Sequence, residues 1–174
     1  MNTRNLIAAA ALAFAASLAS AQTAGPSDAQ IAAIVVAANQ VDIDAGKLAE
    51  SKSESKEVKA FAKRMIADHT GVNKSATALV TKLKVKPEAN ATSNSLTKDG
   101  QDTRKRLKEL KGSAFDKAYI DNEVTYHQTV LDAIDKTLIP SAKNEELKAL
   151  LVKVRPAFVD HLEHAKRLQS SLGK

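Results

Sequence analysis

Residues 55–83, SKEVKAFAKRMIADHTGVNKSATALVTKL, carry one continuous apolar stripe at helical spacing. Its members recur at steps of three and four residues, which predicts a long amphipathic helix. The stripe, which includes one histidine, consists of Val58, Phe61, Ala62, Met65, His69, Val72, Ala76, Leu79 and Leu83. A helix buries such a stripe against other helices, so the stretch predicts a helical bundle.

Three more stretches show the same period, around residues 31–50, 113–138 and 144–172. The polar residues 51–55 form a short link, as do the residues that follow Pro140. Short links place consecutive helices antiparallel, so the four stretches predict two helical hairpins.

The two hairpins are joined by a longer stretch. Residues 84–100 are polar and rich in Asn, Ser and Thr, and we expect a long connection there. Asp102–Lys111 predicts a short basic helix that Gly112 ends as a C-cap. Two hairpins with one long crossover are the connectivity of ferritin-like proteins. We therefore expect an all-α, ferritin-like four-helix bundle with a short extra helix in the crossover.

The first 21 residues, MNTRNLIAAAALAFAASLASA, predict a secretory signal peptide, because Arg4 precedes a short apolar run that ends in small residues. Residues 22–27 are then a flexible lead, and residues 28–174 form the helical-bundle domain. The chain has no cysteine, which excludes disulfides and a lipid-modified cysteine. We expect an exported protein of the periplasm or cell envelope that is not lipidated.

The chain has four histidines, His69, His127, His161 and His164. The first three lie on the inward stripes of three different helices, whereas His164 is expected to be solvated. Glu123 lies four residues before His127, on the same helix face. Imidazole and carboxylate groups on inward faces are potential ligands of a transition metal, with Zn, Cu or Ni favoured over Mg.

A di-iron centre is not expected. Di-iron ferritin-like proteins carry a Glu-x-x-His motif on two helices. The residues three positions before His69 and His161 are Ile66 and Phe158, so the motif is missing from both.

The rise of a helix allows the axial positions of these residues to be compared. Counted from their shared link, Glu123 and His161 lie near one level, with His127 about one turn away. Asp42 lies 9 residues before Ser51, and His69 lies 15 after Glu54. That difference predicts an axial separation of about 9 Å. The predicted cluster is therefore Glu123, His127 and His161, with His69 reaching it from across the bundle.

The same residues have a metal-free alternative. Each inward histidine can instead donate to a carboxylate or a backbone carbonyl of a neighbouring helix. No catalytic or cofactor-binding residues are predicted, because no nucleophile accompanies the histidines. The sequence therefore implies no cofactor firmly. The alternative is a bound transition-metal ion.

The stretch Arg104–Lys111, RKRLKELK, makes one end of the protein basic. It predicts a peripheral contact with an anionic membrane or a cell-wall polymer, or else a solvated face. Nucleic-acid binding is disfavoured, because the chain lacks interleaved aromatic residues and a known reading motif. The oligomeric state is not determined by the sequence.

Three segments resemble the family called domain of unknown function 4142. They are DIDAGKLAESKSESKEVKAFAKRMIADHTGVN, AFDKAYIDNEVTYHQTV and RPAFVDHLEHAKRL, and the resemblance runs from about Asp28 to Leu172. The matching positions are Gly46–Ala49, Val58, Phe61, Ala62, Met65, Asp68, His69, Phe115, Asp116, Tyr119, His127, Pro156, His161 and Leu162. Asp42 and Asp44 stand where the family tends to carry glutamate.

The resemblance implies an exported bacterial protein with a ferritin-like bundle, of a kind often labelled outer membrane protein. It implies no activity. We expect a non-enzymatic protein of the envelope that serves interaction or stress tolerance. The alternative is a metal-binding or redox protein that uses the inward histidines.

Overall fold

The computed structural model describes residues 25–173, and these residues form helices and short links without a strand. The predicted signal peptide and residues 22–24 lie outside the described residues. The elements are α1 (Asp28–Lys52), α2 (Lys56–Lys82), α3 (Ala91–Glu109), α4 (Gly112–Ala133), a π-helical turn (Ile134–Leu138), α5 (Ile139–Ser141) and α6 (Glu145–Leu172).

Polar side chains cap the first turns of three of the four main helices. Ser27 caps α1, with Gln30 completing a capping box. Ser55 caps α2 and Asn144 caps α6. Each cap satisfies backbone N–H groups that have no partner within their own helix. These local signals explain why the helix starts follow closely from the sequence.

Hydrogen bonds at the helix ends establish the direction of the chain. The amide of Glu88, just before α3, donates to the carbonyl of Ala29 at the start of α1 (3.0 Å). At the other end of these helices, Lys52 Nζ donates to the carbonyl of Lys108. The α3 helix therefore runs parallel to α1 along its length.

The second hairpin returns to the same end of the bundle. The Asp28 carboxylate accepts hydrogen bonds from the amides of Lys143 and Asn144, at 2.9 and 3.1 Å. Because these amides lie between α5 and α6, α4 runs antiparallel to α1 and α6 runs parallel to it. The result is two antiparallel hairpins with one long crossover, the ferritin-like connectivity.

The crossover differs from the sequence prediction. Residues 91–100 were expected to lie in a loop, but α3 begins at Ala91 and spans 19 residues. Asn90 and Ser93 form a capping box at its start. The helix is hard to recognise because it lies outside the four main helices and buries only a narrow face, with Gly100 against Val41.

The expected role of Gly112 was also wrong. The α3 helix already ends at Glu109, and Gly112 is the first residue of α4 rather than a C-cap. Its φ of +52° is in the left-handed region, which glycine adopts without steric cost. The short turn between the two helices therefore depends on this glycine.

Two apolar clusters fill the bundle. One includes Ile31, Val130, Ile134, Leu147 and Phe158. The other contains further buried residues of the four main helices, among them Ala45, Phe61, Met65, Phe115, Tyr119 and Ala165. In α1, α2 and α4, buried polar side chains lie between these clusters along the helix, and in α6 His161 lies beside Leu162, at the edge of the first cluster. Together they form a polar layer across the core. None of the helices within residues 25–173 combines the length and apolar character needed to cross a membrane.

Candidate metal centre

The polar layer contains five titratable side chains from all four main helices. Asp42 comes from α1, His69 from α2, Glu123 and His127 from α4, and His161 from α6. Each of these residues is 1% exposed or less. Charged and imidazole groups are rarely buried so fully without a partner, so the layer requires a chemical explanation.

The three imidazoles form a nearly equilateral triangle. Their ring centroids are 5.6 Å apart for His69 and His127, 5.1 Å for His69 and His161, and 5.4 Å for His127 and His161. Each ring offers one nitrogen to a common group in which all such atoms lie within 4.8 Å of one another. A second group of the same compactness contains Asp42, Glu123 and His127.

The orientation of His69 is defined by Asn39 of α1. The Asn39 amide nitrogen donates to the carbonyl of Val35 (2.7 Å), which directs its oxygen at His69. That oxygen is 2.8 Å from His69 Nδ1. Because the amide oxygen can only accept, Nδ1 carries the proton and Nε2 carries a lone pair.

The other two rings are held in the same manner. His127 Nδ1 donates to the backbone carbonyl of Glu123 at 3.0 Å. His161 Nε2 donates to Asp68 Oδ2 on α2 at 2.8 Å. Among residues 25–173, no hydrogen-bond partner exists for His69 Nε2, His127 Nε2 or His161 Nδ1. All three rings therefore carry a proton on the outer nitrogen and a free lone pair on the inner one.

The carboxylates add oxygen atoms to the same layer. Asp42 Oδ2 and both Glu123 side-chain oxygens also have no hydrogen-bond partner in the described part of the chain. Asp42 Oδ2 lies 3.4 Å from His69 Nε2. Two lone pairs that face each other at this distance repel unless a proton or a cation lies between them.

Burial shifts the protonation of every group in the layer toward the neutral form. It lowers the pKa of His127 to about 4 and raises the pKa of Glu123 to about 8. Burial also lowers the pKa of His69 well below its ordinary value, with the neighbouring imidazoles adding to the effect. It raises the pKa of Asp42, and the Glu123 carboxylate raises it further.

The environment of His161 also favours the neutral form of its imidazole. Burial lowers its pKa, and the hydrogen bond to Asp68 opposes that shift. Neutral imidazoles are the form that coordinates a metal, so the protein presents its histidines in the binding state.

The donor set suits a borderline transition metal. Imidazole nitrogens favour Zn, Cu, Ni and Fe, whereas Mg and Ca take mainly oxygen ligands. Metal-bound histidines characteristically donate their other N–H to a carboxylate, a carbonyl or a similar acceptor. Each of the three rings has such an acceptor, and the free inner atoms are of the ligand type. The residues present therefore fit a metal ion.

The centre also departs from a di-iron site in a specific way. A di-iron bundle takes one Glu from each of two helices and a Glu-x-x-His motif from each of the other two. Here α1 and α4 supply carboxylates and α2 and α6 supply histidines, but Ile66 and Phe158 occupy the glutamate positions of the motif. The Phe158 ring packs against all three imidazoles, at 5.1 Å, 5.9 Å and 6.1 Å between centroids. A phenyl ring thus fills space that a bridging carboxylate would occupy.

The structure brings together all four predicted site residues, His69, His127, His161 and Glu123. It places His69 as close to His161 as His127 is, although the sequence suggested a more distant position. The expected 9 Å offset between Asp42 and His69 is wrong, since their side chains are 3.4 Å apart. His164 is half-buried and packs edge-on against Phe61, with 5.2 Å between ring centroids.

Two residues that support the site were missed by the sequence analysis. Asn39 lies three residues before Asp42, and a buried asparagine on an otherwise apolar stripe was an available signal. Asp68 entered the sequence analysis only as a position that matches the family, next in the chain to His69. Its partner His161 lies on another helix, and no local pattern indicates that pairing.

The predicted basic surface is the C-terminal part of α3 and the residues just after it. Arg104 donates to Asp44 Oδ2 of α1 at 2.7 Å, and Lys105 lies 3.5 Å from Asp102 Oδ1. At least two of its cations are therefore paired with acidic groups. Contact with an anionic membrane or cell wall through Arg104–Lys111 stays a prediction.

The protein is therefore an all-helical bundle with ferritin-like connectivity, and its polar layer is a buried cluster of histidines and carboxylates. The chain belongs to the family described as domain of unknown function (DUF4142), whose family model matches residues 13–168. This confirms the family resemblance drawn from the sequence. No curated protein and no solved structure matches the chain significantly.

Proposed function

We propose that the protein binds one transition-metal ion in the polar layer. The ligands are His69 Nε2, His127 Nε2 and His161 Nδ1, completed by Asp42 Oδ2, which lies 3.4 Å from His69 Nε2. Glu123, whose Oε2 lies 3.6 Å from the other nitrogen of His127, Nδ1, is the second candidate for an oxygen ligand. One observation supports this proposal above all others. Three buried imidazoles each donate to an acceptor and keep one nitrogen without a partner, and one nitrogen of each ring lies within 4.8 Å of the other two.

The metal-free alternative explains only half of this arrangement. It accounts for the outer nitrogens, which donate to Asn39, Asp68 and a backbone carbonyl. It leaves His127 Nε2 and His161 Nδ1 without a partner, although a protonated Asp42 can donate to His69 Nε2 across 3.4 Å. Each buried polar atom without a partner costs about 1–3 kcal/mol. A cation satisfies the inner nitrogens and oxygens at once, so it offsets these costs together.

The stoichiometry we propose is one ion. Two-metal bundles rely on bridging carboxylates from the Glu-x-x-His motifs, and Ile66 and Phe158 provide none. The remaining set of three nitrogens and one or two oxygens matches the four or five ligands of Zn²⁺ or Cu²⁺. Such an ion supplies Lewis acidity and, in the case of copper, one-electron chemistry.

Binding and holding the ion is the function that the surroundings favour. The layer lies inside the bundle between apolar clusters, with no ligand residue more than 1% exposed. This location suits retention of a metal better than turnover of a substrate. If the predicted signal peptide operates, the protein holds this metal outside the cytoplasm, where it contributes to metal tolerance of the envelope.

Metal titration of untagged protein tests the proposal. Chelator-stripped protein is titrated with Zn²⁺, Cu²⁺ or Ni²⁺, and bound metal is measured after gel filtration. We expect one equivalent of at least one of these ions, and a loss of affinity of at least about 100-fold in His127→Ala and His161→Ala. His164→Ala is the matched control, because this histidine lies outside the triangle.

Two results would overturn the proposal. One is sub-stoichiometric metal for all three ions in a protein whose circular dichroism shows it to be folded. The other is stoichiometric binding that His127→Ala and His161→Ala leave unchanged, since the ion would then sit elsewhere.

A further inference from the structure

The outer partners of the three imidazoles differ in their exposure to solvent. His69 is held by Asn39, which is 1% exposed, and His127 is held by a backbone carbonyl within α4. His161 is held by Asp68, whose side chain is 41% exposed. On this side of the bundle, a single hydrogen bond separates the candidate centre from the surface.

Two clefts lie near the layer, and neither is lined by any of its five titratable residues. The cleft between α1, α3 and α4 has a volume of about 310 Å³ and is lined by Val41, Gly100 and Tyr126. Tyr126 lies against His127, with 6.1 Å between rings, and its hydroxyl donates to the Ala38 carbonyl (3.0 Å). The open groove along α1 and α2 has the buried Ile43 in its lining.

Asp68 accepts hydrogen bonds from a buried side chain and from one at the surface. Its Oδ2 accepts from His161 Nε2 at 2.8 Å and from Arg64 Nε at 3.2 Å. The Arg64 side chain is 40% exposed, and its Nη2 lies 4.0 Å from the Asp160 carboxylate. Because Arg64 can retain Asp68 after the bond to His161 breaks, the carboxylate has an alternative partner outside the core.

We propose that Asp68 and His161 form the route by which a metal ion enters the centre, between α2 and α6. Asp68 captures the cation at the surface. His161, released from Asp68, then turns and passes the ion to the inner nitrogens. Arg64 opposes capture, because its guanidinium occupies the same carboxylate oxygen. Asp68 is thus a positioning and capture residue, and this inference rests on the proposed metal binding.

Uptake kinetics distinguish capture from simple orientation of His161. The probe is Zn²⁺, delivered by rapid mixing and followed by competition with a chromophoric chelator at low ionic strength. Asp68→Asn retains an acceptor oxygen for His161 but loses the charge. We expect its uptake rate constant to fall about tenfold, and the dependence of uptake on salt to weaken, since steering by charge changes association rates. Arg64→Gln should change the rate in the opposite direction and accelerate uptake.

The matched control is Asp160→Asn. Asp160 is 72% exposed and faces the same arginine, but it makes no hydrogen bond to His161. Its uptake rate should change less than about threefold, since it contributes charge without contacting the route.

Other results would overturn either the entry route or the proposed metal binding. If Asp68→Asn leaves uptake unchanged and accelerates only Zn²⁺ release, then Asp68 orients His161 and the route is wrong. If Arg64→Gln slows uptake, the capture mechanism is also overturned. A wild-type protein that binds no Zn²⁺, Cu²⁺ or Ni²⁺ would instead contradict the proposed function itself. The equilibrium titration of the wild-type protein separates that failure from the failure of the route.

Discussion

Asp42 Oδ2 and His69 Nε2 are 3.4 Å apart although the two residues lie at different distances from their hairpin link. Asp42 is 11 residues before the C-cap Ser53, and His69 is 14 residues after the N-cap Ser55. The difference of three residues corresponds to about 4.5 Å along the helix axes.

Side-chain direction removes most of this offset. In a helix, each side chain leans toward the N-terminus. The Asp42 side chain therefore leans away from the link and the His69 side chain leans toward it. The two groups converge on the layer, which makes a carboxylate from α1 available to the candidate metal centre.

Removing the amide of Asn39 should weaken metal binding without disrupting the fold. Asn39→Ala deletes the acceptor that orients His69, and loss of such a supporting residue typically costs 10–100-fold in metal affinity. Competition titration with a chelator measures this change. Asn73→Ala is the control, because the Asn73 amide bonds the Val36 carbonyl of α1 but no histidine. Equal losses in the two variants would contradict the role of Asn39.

A bound ion should raise the thermal stability of the protein. A ligand at 100 times its dissociation constant adds about 2.7 kcal/mol to the free energy of unfolding. For a domain of this size, that corresponds to an increase in Tm of about 5–10 °C. Scanning calorimetry with and without Zn²⁺ measures the shift. His164→Ala should keep it, and His161→Ala should lose it. A shift of the same size with Mg²⁺ would argue against a nitrogen-rich site.

The stability of the metal-free protein should fall as the pH rises above 6.5. Burial raises the pKa of Glu123 from 4.5 to about 8, so between these values the folded state binds a proton that the unfolded chain lacks. Stability therefore decreases with rising pH across that window. His69, His127 and His161 have the opposite effect, because burial lowers the pKa of each imidazole, that of His127 from 6.5 to about 4. Their contributions level off about one pH unit above the pKa of the unfolded imidazole, whereas that of Glu123 continues to about pH 8.

Urea unfolding in the presence of a chelator tests this pH dependence. Between pH 6.5 and pH 8 we expect the free energy of unfolding to fall by about 1–2 kcal/mol. Glu123→Gln removes the titrating group at nearly constant shape and should flatten the profile. Burial also raises the pKa of Asp42, which still titrates in this variant, so part of the decrease in stability with pH should remain. A wild-type profile that is flat from pH 6.5 to pH 8 would be incompatible with two buried, protonated carboxyl groups.

Two glycines provide a matched test of how α3 packs. A Cβ at Gly100 would lie 2.8 Å from Val41 Cγ2 and 2.9 Å from Val41 Cγ1. Gly100→Ala should therefore push α3 away from α1 and cost about 1–3 kcal/mol. At Gly71, within α2, an added Cβ meets nothing within 4 Å. Gly71→Ala should stabilise the protein by up to about 1 kcal/mol, because alanine favours helix. Chemical denaturation measures both, and a neutral Gly100→Ala would contradict the close packing of α3.

The failure to predict most of α3 has a physical cause. An apolar stripe is visible in a sequence only when a helix buries a broad face, as α2 does with Val58, Phe61 and Met65. The α3 helix buries a narrow face against α1, and part of that face is glycine and serine. Its polar composition is the same as that of a solvated loop, so only its packing against α1 identifies it.

The sequence alone determined the four main helices and the inward position of His69, His127 and His161. These features depend on local chemistry: the period of apolar residues, the capping side chains and the helix face on which a residue falls. Tertiary structure decided which atoms meet. The pairing of His161 with Asp68, and of His69 with Asn39, depends on the axial offset between helices and the lean of their side chains. Packing across the bundle determines the axial offset and the side-chain directions, and neither can be derived from the sequence of a single helix.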